Sequence, residues 1–173
     1  MKRILYVIGL VFLSSYTTTG FADAPAVKTP APVIYLADNL DEKDNLGWCI
    51  DTQGRGFSDR LHAHSCKPRG GDVQFSFNEE TGQIMSVAFE DFCMVHQPGV
   101  EHTFGLVGCD SNVAEQQFAF DASTGQISLA DQPEKCVVVG DASRSAGPFM
   151  SRTLLLDECS AVDAALKVWV VSK

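Results

Sequence analysis

Apolar and polar residues alternate in three separate stretches of this chain. Each stretch places mainly β-branched or aromatic side chains at every second position, which is the pattern of a half-buried β-strand. Between residues 33 and 173, no window of about 11 to 18 residues has convincing helical periodicity, and only 157–166 offers a short helical turn. The sequence therefore predicts an all-β domain. The alternating positions are Val73, Phe75 and Phe77; Gln116, Phe118 and Phe120; and Leu166, Val168 and Val170.

The chain also repeats itself. The tetrapeptide TGQI occurs at residues 81–84 and again at 124–127, a shift of 43 residues that also superimposes Cys93 on Cys136. Two cysteines mark each of three successive copies, and an apolar residue follows the second cysteine by nine positions each time. The cysteines are Cys49 and Cys66, Cys93 and Cys109, and Cys136 and Cys159, and the apolar residues are Phe75, Phe118 and Val168.

Each copy offers about four short strands: one before the first cysteine, one around it, one ending at the second cysteine, and the alternating one. The strands before the first cysteine are predicted over residues 33–36, 84–89 and 127–129. Gly82 and Gly125 follow alternating strands and suit the left-handed position of a hairpin turn. One unit of this size cannot bury its own apolar face, so three units should pack around a pseudo-threefold axis.

The first residues do not belong to that domain. Lys2 and Arg3 precede an apolar run over residues 4–13, and small residues follow around Ala22. This is the pattern of a secretory signal peptide over residues 1–22, with Ala24 as the alternative cleavage point. The run is too short for a transmembrane helix, which needs about 20 apolar residues. Residues 23–32 are rich in proline and alanine and predict a linker, so the domain covers residues 33–173.

Export and charge restrict the partners. In an oxidising compartment six cysteines predict a disulfide framework, and the absence of a CxxC pair argues against a zinc cluster. Loss of Lys2 and Arg3 with the signal peptide lowers the formal charge from −9 to −11. Because an acidic surface repels phosphates, we expect no nucleic-acid partner, and no integral membrane segment remains after cleavage. No motif predicts a cofactor.

The motifs around the first cysteine pair resemble those of the ricin B-type lectins. That family carries a Cys-x-Asp motif, a second cysteine some 17 residues later and then a Gln-x-Trp-like motif. Here Cys49-Ile50-Asp51 is followed by Cys66 and by Val73-Gln74-Phe75, and the second copy has Gln116-Gln117-Phe118. Phenylalanine replaces the tryptophan in two copies, and the third copy has Val168, or Trp169 if the alignment slips by one residue. The resemblance implies a β-trefoil with three intra-repeat disulfides.

The implied disulfides join Cys49 to Cys66, Cys93 to Cys109 and Cys136 to Cys159. If each cystine joins directly facing residues, Asp51 faces His64, Val95 faces Val107, and Val138 faces Asp157. The period of two in a strand then places His62 and His64 on the same face as Asp51.

The resemblance also implies a carbohydrate site in the first repeat. The family's aspartate two residues after the first cysteine, here Asp51, holds sugar hydroxyls. The ring that stacks on the sugar matches His64, the supporting asparagine matches Asp72, and His62 lies on the same face. The second and third repeats lack the Cys-x-Asp carboxylate, so we expect a single site, in the first repeat.

Other interpretations of these residues remain open. Asp51 and His64 can form a structural pair, His62 and His64 can share a metal ion, and Asp51 with His64 can form a catalytic dyad. No nucleophile, metal-protease or phosphate-loop motif accompanies them, so we predict neither an enzyme nor a metal site, and we read Gly54-Arg55-Gly56 as a turn.

The sequence therefore predicts a secreted or periplasmic, noncatalytic module that binds a carbohydrate or glycoconjugate. The alternative is a protein-interaction subunit that has lost sugar binding, similar to the lectin-like binding subunits of bacterial cytolethal distending toxins. For that alternative, the loop expected over residues 144–152 offers Phe149 and Met150 as an exposed contact for a partner chain, and the other interpretation of this segment is that it folds back on the barrel.

Overall fold

The computed structural model describes residues 23–99 and 103–173, so the predicted signal peptide over residues 1–22 lies outside the described residues. The described chain is all-β, as the sequence predicts, with two short 3-10 helices at Ala114–Gln116 and Ala164–Leu166. None of its helices is long and apolar enough to cross a membrane. The strands are β1 Val33–Leu36, β2 Trp48–Thr52, β3 Leu61–Ser65, β4 Phe75–Asn78, β5 Gln83–Ser86, β6 Phe92–His96, β7 Phe104–Gly108, β8 Phe118–Asp121, β9 Gln126–Leu129, β10 Gln132–Ala146, β11 Phe149–Glu158 and β12 Trp169–Ser172.

The strands form two antiparallel sheets. The larger sheet has the order β12-β1-β2-β3-β11-β10-β9-β8, and the smaller one has the order β4-β5-β6-β7. Three antiparallel pairs each join the last strand of one repeat to the first strand of the next: β4 with β5, β8 with β9, and β12 with β1, which joins the third repeat to the first. Three hairpins are also alike: β2 with β3, β6 with β7, and β10 with β11. The repeat in the sequence is therefore a repeat in strand pairing.

The core collects the apolar positions of all three repeats. Each alternating strand begins with a fully buried aromatic residue, and strands β1, β5 and β9 contribute aliphatic side chains to the same cluster. Burial of these side chains is the main force that holds three small units together. The cluster includes Ile34, Leu36, Trp48, Ile50, Phe75, Ile84, Phe104, Phe118, Ile127, Leu129 and Trp169.

The third alternating strand begins at Trp169, so the alignment of the third repeat slips by one residue and Val168 is not the equivalent of Phe118. Trp169 N donates to Gly125 O at 2.7 Å, as Phe118 N donates to Gly82 O at 2.7 Å. Both glycines have positive φ, +70° at Gly82 and +71° at Gly125, as the predicted hairpin turn requires.

Four predicted strand boundaries are wrong. Val73 lies in a turn before β4, and Leu166 lies in the 3-10 helix before β12. The strand predicted over 84–89 ends at Ser86, whose side-chain oxygen accepts a hydrogen bond from Phe89 N in a tight turn.

Gln116 lies in a 3-10 helix before β8 rather than in the strand. Its side-chain amide donates to Gly108 O and accepts from Asp110 N, and these hydrogen bonds allow it to be buried. Gln116 is therefore an inward-facing residue, as the alternating pattern predicts, although it is polar and lies outside the strand.

The three disulfides pair as expected, but the register differs by two residues in every hairpin. Cys49 faces His64, and Asp51 faces His62 rather than His64. Val95 faces Gly105 rather than Val107, and Val138 faces Leu155 rather than Asp157.

The physical reason for this offset is that each cystine crosses its ladder diagonally. The right-handed twist of paired strands brings diagonal neighbours together, and the joined Cα atoms of Cys49 and Cys66 lie 5.0 Å apart. A shift of two residues preserves the face of every side chain, so Asp51, His62 and His64 still share one face.

The third hairpin replaces the loop expected over residues 144–152. Strands β10 and β11 continue their pairing to Ala146 and Phe149, and a turn with Gly147 at φ +66° closes the tip. Beyond a bulge after Val139, β11 also pairs with β3, where Ser151 faces His64. This second pairing holds the tip of the third hairpin against the first repeat.

The segment predicted as a linker, residues 23–32, carries no strand and lies against the domain. Asn39 N donates to Asp23 O, Ala26 N donates to Asn45 O, and the Thr29 hydroxyl donates to Lys67 O at 2.9 Å. The peptide bond between Ala31 and Pro32 is cis. The segment thus borders β2 and β3 before the chain enters β1.

Candidate functional site

A cleft of about 680 Å³ opens between the first repeat and the tip of the third hairpin. One wall is the loop between β2 and β3, and the other is formed by the end of β10, the turn and the start of β11. The floor is formed by side chains of β3 and of the segment that follows it. The lining side chains used below are Gln53, Arg55, His62, His64, Lys67, Asp72, Arg144 and Phe149.

Asp51 lies beneath this cleft rather than in its lining. It is a central residue of β2, its exposed fraction is 0%, and its Oδ1 atom has no hydrogen-bond partner among the described residues. Lys67 Nζ lies 2.9 Å from Asp51 Oδ2. A buried carboxylate needs such a cation, because the low-dielectric interior penalises an unpaired charge.

Lys67 joins the buried carboxylate to the cleft. Its Nζ donates to Asp72 Oδ1 at 2.7 Å while it also contacts Asp51. Burial works against the charge on this ammonium, but the hydrogen bonds and attraction of Asp72 and Asp51 outweigh burial and raise the pKa of Lys67. Lys67 therefore stays charged, and Asp51, Lys67 and Asp72 form one connected row.

His62 and His64 project from β3 into the floor of the cleft. Their rings lie 5.3 Å apart at an angle of 36°, and His64 Nδ1 lies 3.4 Å from Asp51 Oδ2 and 3.0 Å from Ser65 O. Burial lowers the pKa of His64 despite the opposing attraction of Asp51. His64 is therefore chiefly neutral at pH 7.

His62 has an unusual environment for a buried polar side chain. Its exposed fraction is 7%, yet neither ring nitrogen has a hydrogen-bond partner within the described residues. Nε2 lies 3.8 Å from Asp51 Oδ2, beyond hydrogen-bond distance. Gln53, on the same side of the cleft, likewise has a buried Oε1 without a partner in the described part of the chain. Such atoms are satisfied by water or by a ligand that brings its own polar groups.

Phe149 gives the cleft an aromatic wall. Its ring meets His64 edge-on at 5.5 Å, and it is half-buried. Of the two possibilities for Phe149 and Met150, an exposed pair or a segment that folds back onto the domain, the structure shows the second, since Met150 is also half-buried and packs against the core. The β3–β11 pairing is the physical reason, because it turns this segment inward onto the first repeat.

Two arginines stand at the borders of the cleft. Arg55 lies in the β2–β3 loop and Arg144 lies near the end of β10, and both are exposed. Neither guanidinium has an ion pair or hydrogen bond among residues 23–99 and 103–173.

The other two repeats lack the carboxylate beneath the site. The residues two positions after their first cysteines are Val95 and Val138, and both are buried. Since an aliphatic side chain cannot hold a cation in the position of Lys67, the row of charges described above belongs to the first repeat.

Sequence reasoning brought Asp51, His62, His64 and Asp72 together, and the structure places all four at or beneath the cleft. Sequence reasoning placed Arg55 in a loop over residues 52–61 that can overhang the face of Asp51, and it missed Lys67, Phe149 and Arg144 as members of the site. Lys67 carried no usable signal, because alternation in a strand would put it on the face opposite Cys66 and Asp51. It contacts Asp51 because β3 ends at Ser65 and the chain changes direction after that residue. Phe149 and Arg144 carried no signal either, since they reach the site through a pairing between distant strands.

No group of three or more His, Cys, Asp or Glu side chains among the described residues is arranged to hold a metal ion. No protein-family model matches the chain, and no curated protein matches it significantly.

Proposed function

We propose that this chain is a secreted, noncatalytic β-trefoil that binds a carbohydrate through the cleft of its first repeat. The proposal joins the resemblance to ricin B-type lectins with the geometry of the cleft. Its architecture, its ligand and its location are supported by separate observations.

The trefoil architecture is supported by the equivalence of the strand pairs. In a trefoil, the first and fourth strands of three repeats build a barrel, and the second and third strands form three hairpins that cap it. The pairs β12–β1, β4–β5 and β8–β9 fit the barrel, and the cystine-bearing hairpins fit the caps. In each repeat the strand with the first cysteine also pairs with the strand before it, as Tyr35 faces Cys49 and Met85 faces Cys93.

The observation that carries the ligand class is the state of His62. A buried imidazole that faces a cleft with two unpartnered nitrogens suits a ligand with many hydroxyl groups, each able to donate and accept. The rings of His64 and Phe149 stand beside it and suit the apolar face of a sugar ring. Asp72, held by Lys67, presents a carboxylate to the same space.

Asp51 has a different role in this proposal from the one that the resemblance implies. A carboxylate beneath the floor cannot reach a ligand, but it fixes Lys67, and Lys67 in turn fixes Asp72. Asp51 is therefore a positioning residue, and His62, His64 and Asp72 contact the sugar.

The proposed location outside the cytoplasm is supported by the three disulfides. Such bonds persist in oxidising compartments and are rare where thiols are kept reduced.

The test is a glycan-array screen of the protein, with all three disulfides verified by mass spectrometry, followed by titration of the best ligand. Phe149→Ala should weaken that ligand about two- to tenfold, because an aromatic contact contributes about 0.5–1.5 kcal/mol. The matched control is Phe57→Ala, which removes an exposed phenyl ring that contacts Phe89 and Phe92 and does not line the cleft. Equal affinity of wild type and Phe149→Ala would refute the site, and absence of binding to any glycan would refute the ligand class.

The partner-binding alternative rests on an aromatic patch outside the cleft. Phe57 is 50% exposed, and its ring lies 5.3 Å from that of Phe89 and 4.8 Å from that of Phe92. Phe89 and Phe92 are half-buried and pack against the core, so Phe57 is the exposed ring of the three, and exposed aromatic side chains are typical of protein contacts. The patch is formed by the β2–β3 loop and the start of the second repeat, so it is separate from Phe149 and Met150.

A further inference from the structure

Arg55 and Arg144 approach the cleft from different parts of the chain. Arg55 is in the loop between β2 and β3, where Gly54 and Gly56 on either side have φ of +108° and +78°. Arg144 is in β10, in the third repeat. Both side chains line the same cleft, so two guanidinium groups from separate elements border one space.

The lack of partners for these arginines is notable in an acidic chain. The sequence has 22 Asp and Glu residues against 13 Lys and Arg, so carboxylates are abundant. Basic side chains elsewhere in the described chain do form ion pairs, as at Lys43, Lys67, Lys135, Arg152 and Lys173. Arg55 and Arg144 form none with any described residue.

The charges that line the cleft favour an anion. The lining contains Arg55, Lys67 and Arg144, and Asp72 is the one carboxylate among its described side chains. Asp72 is already paired with Lys67. A guanidinium is suited to carboxylate or sulfate groups, because its N–H donors can form two parallel charge-assisted hydrogen bonds.

We infer that the cleft prefers a saccharide that carries an anionic group, a carboxylate or a sulfate ester, and that Arg55 and Arg144 bind that group. The inference rests on the proposed function, because it names the class of sugar for the same site. The ring wall and His62 hold the neutral part of the sugar, and the two arginines at the border hold the charged group.

The overall negative charge of the protein does not prevent this selectivity. At physiological ionic strength, charges more than about 8 Å apart are largely screened. The local pair of arginines therefore dominates the interaction once the ligand has reached the cleft. The same screening makes the preference dependent on salt, since both guanidinium groups are exposed.

The test compares neutral oligosaccharides with the same oligosaccharides carrying either a sialic acid or a sulfate ester. The measured quantity is the ratio of affinities for the anionic and the neutral member of each pair, by calorimetric titration at 0.05 M and 0.5 M NaCl. We expect at least one anionic form to bind about tenfold more tightly at low salt, as one charge-assisted contact provides. The ratio should fall at high salt, and the sialylated and sulfated arms identify the anion.

The variants Arg55→Gln and Arg144→Gln should each move that ratio toward one. The matched control is Arg69→Gln, which removes the charge of an exposed arginine that does not line the cleft and should keep the wild-type ratio. Neutral and anionic members that bind equally would overturn the inference while the proposed function stands. If no glycan of either kind binds, both fail. A ratio that Arg69→Gln lowers as much as Arg144→Gln would also overturn it, because the preference would then be a general charge effect.

Discussion

At the scale of single residues, the centre of the site is a buried carboxylate with one cation. Asp51 has no exposed surface, and Lys67 supplies its ion pair at 2.9 Å. Both His62 and His64 lie farther from its Oδ2, at 3.8 and 3.4 Å. The stability of this arrangement depends on Lys67, because a carboxylate cannot remain ionised in the interior without compensation.

Lys67→Met should therefore lower the free energy of unfolding at pH 7 by about 3 kcal/mol, since it strands a buried charge. Asp51→Asn should cost less, and the double variant should be more stable than Lys67→Met alone, because it has no unpaired carboxylate. Urea denaturation of the three variants measures this coupling. Lys173→Met, which breaks the exposed ion pair with Glu79, serves as the control and should leave stability unchanged. A double variant as unstable as Lys67→Met would contradict the argument.

The residues that could be predicted at this scale were those tied to the disulfide. Asp51, His62 and His64 follow from the period of two in a strand, and that result survives an error of two residues in register. The burial of Asp51 could not be predicted, because it depends on what covers the face. The side chains of His62, His64 and Lys67 lie within 4 Å of its Oδ2, and Lys67 comes from beyond the end of β3, where alternation does not place it.

At the scale of elements, the third hairpin explains how the cleft is closed. Gly147-Pro148 and the polar residues before it have the composition of a loop, which is why the sequence predicts one. In the structure the same residues extend β10 and β11 because Arg152 anchors them. Its guanidinium lies 5.0 Å from the Trp48 ring centroid and donates to Gly140 O and to Asp41.

Arg152→Lys should lower the free energy of unfolding by about 1–3 kcal/mol, because the compact ammonium lacks the planar fork that lets the guanidinium bond two separate acceptors while it lies over Trp48. It should also weaken the best glycan, since the tip that carries Phe149 loses its anchor. Denaturation and titration of the same sample measure both effects. Arg144→Lys, eight residues earlier on the same hairpin, should leave stability unchanged. Loss of stability without any change in glycan affinity would show that the tip is held independently of Arg152.

The strands themselves could be predicted well where the cysteines fix the repeat. The third copy is the exception, because Val168 and Trp169 are both apolar and alternation alone cannot choose between them. The choice is made by Gly125, whose carbonyl oxygen accepts from Trp169 N and sets where β12 begins.

At the scale of the whole molecule, the three disulfides are equivalent in position and in loop length. They close separations of 17, 16 and 23 residues. In the chain-entropy model the stabilisation changes slowly with loop length, so the three bonds should contribute alike.

Paired Cys→Ala variants should test that equivalence. Each of Cys49→Ala/Cys66→Ala, Cys93→Ala/Cys109→Ala and Cys136→Ala/Cys159→Ala should lower the free energy of unfolding by about 3 kcal/mol. The first pair should in addition weaken the best glycan, because that cystine borders Asp51 and Lys67. Denaturation of each variant is compared with the wild type, with the m-value as a check that the unfolding transition remains two-state. Equal loss of glycan affinity in all three would contradict the assignment of the site to the first repeat.

The diagonal cystines lie at the stem of each hairpin, which is its open end, away from the turn. The register of the stem is thus fixed independently of everything beyond it. In a hairpin built in this way, the outer part can be lengthened, shortened or replaced while the rest of the fold stays the same. The third hairpin is the example, because β10 and β11 are longer than the strands of the other two hairpins. Its extra length forms one wall of the cleft of the first repeat. New specificity in such a chain can come from transplanting a tip, with no change to the core.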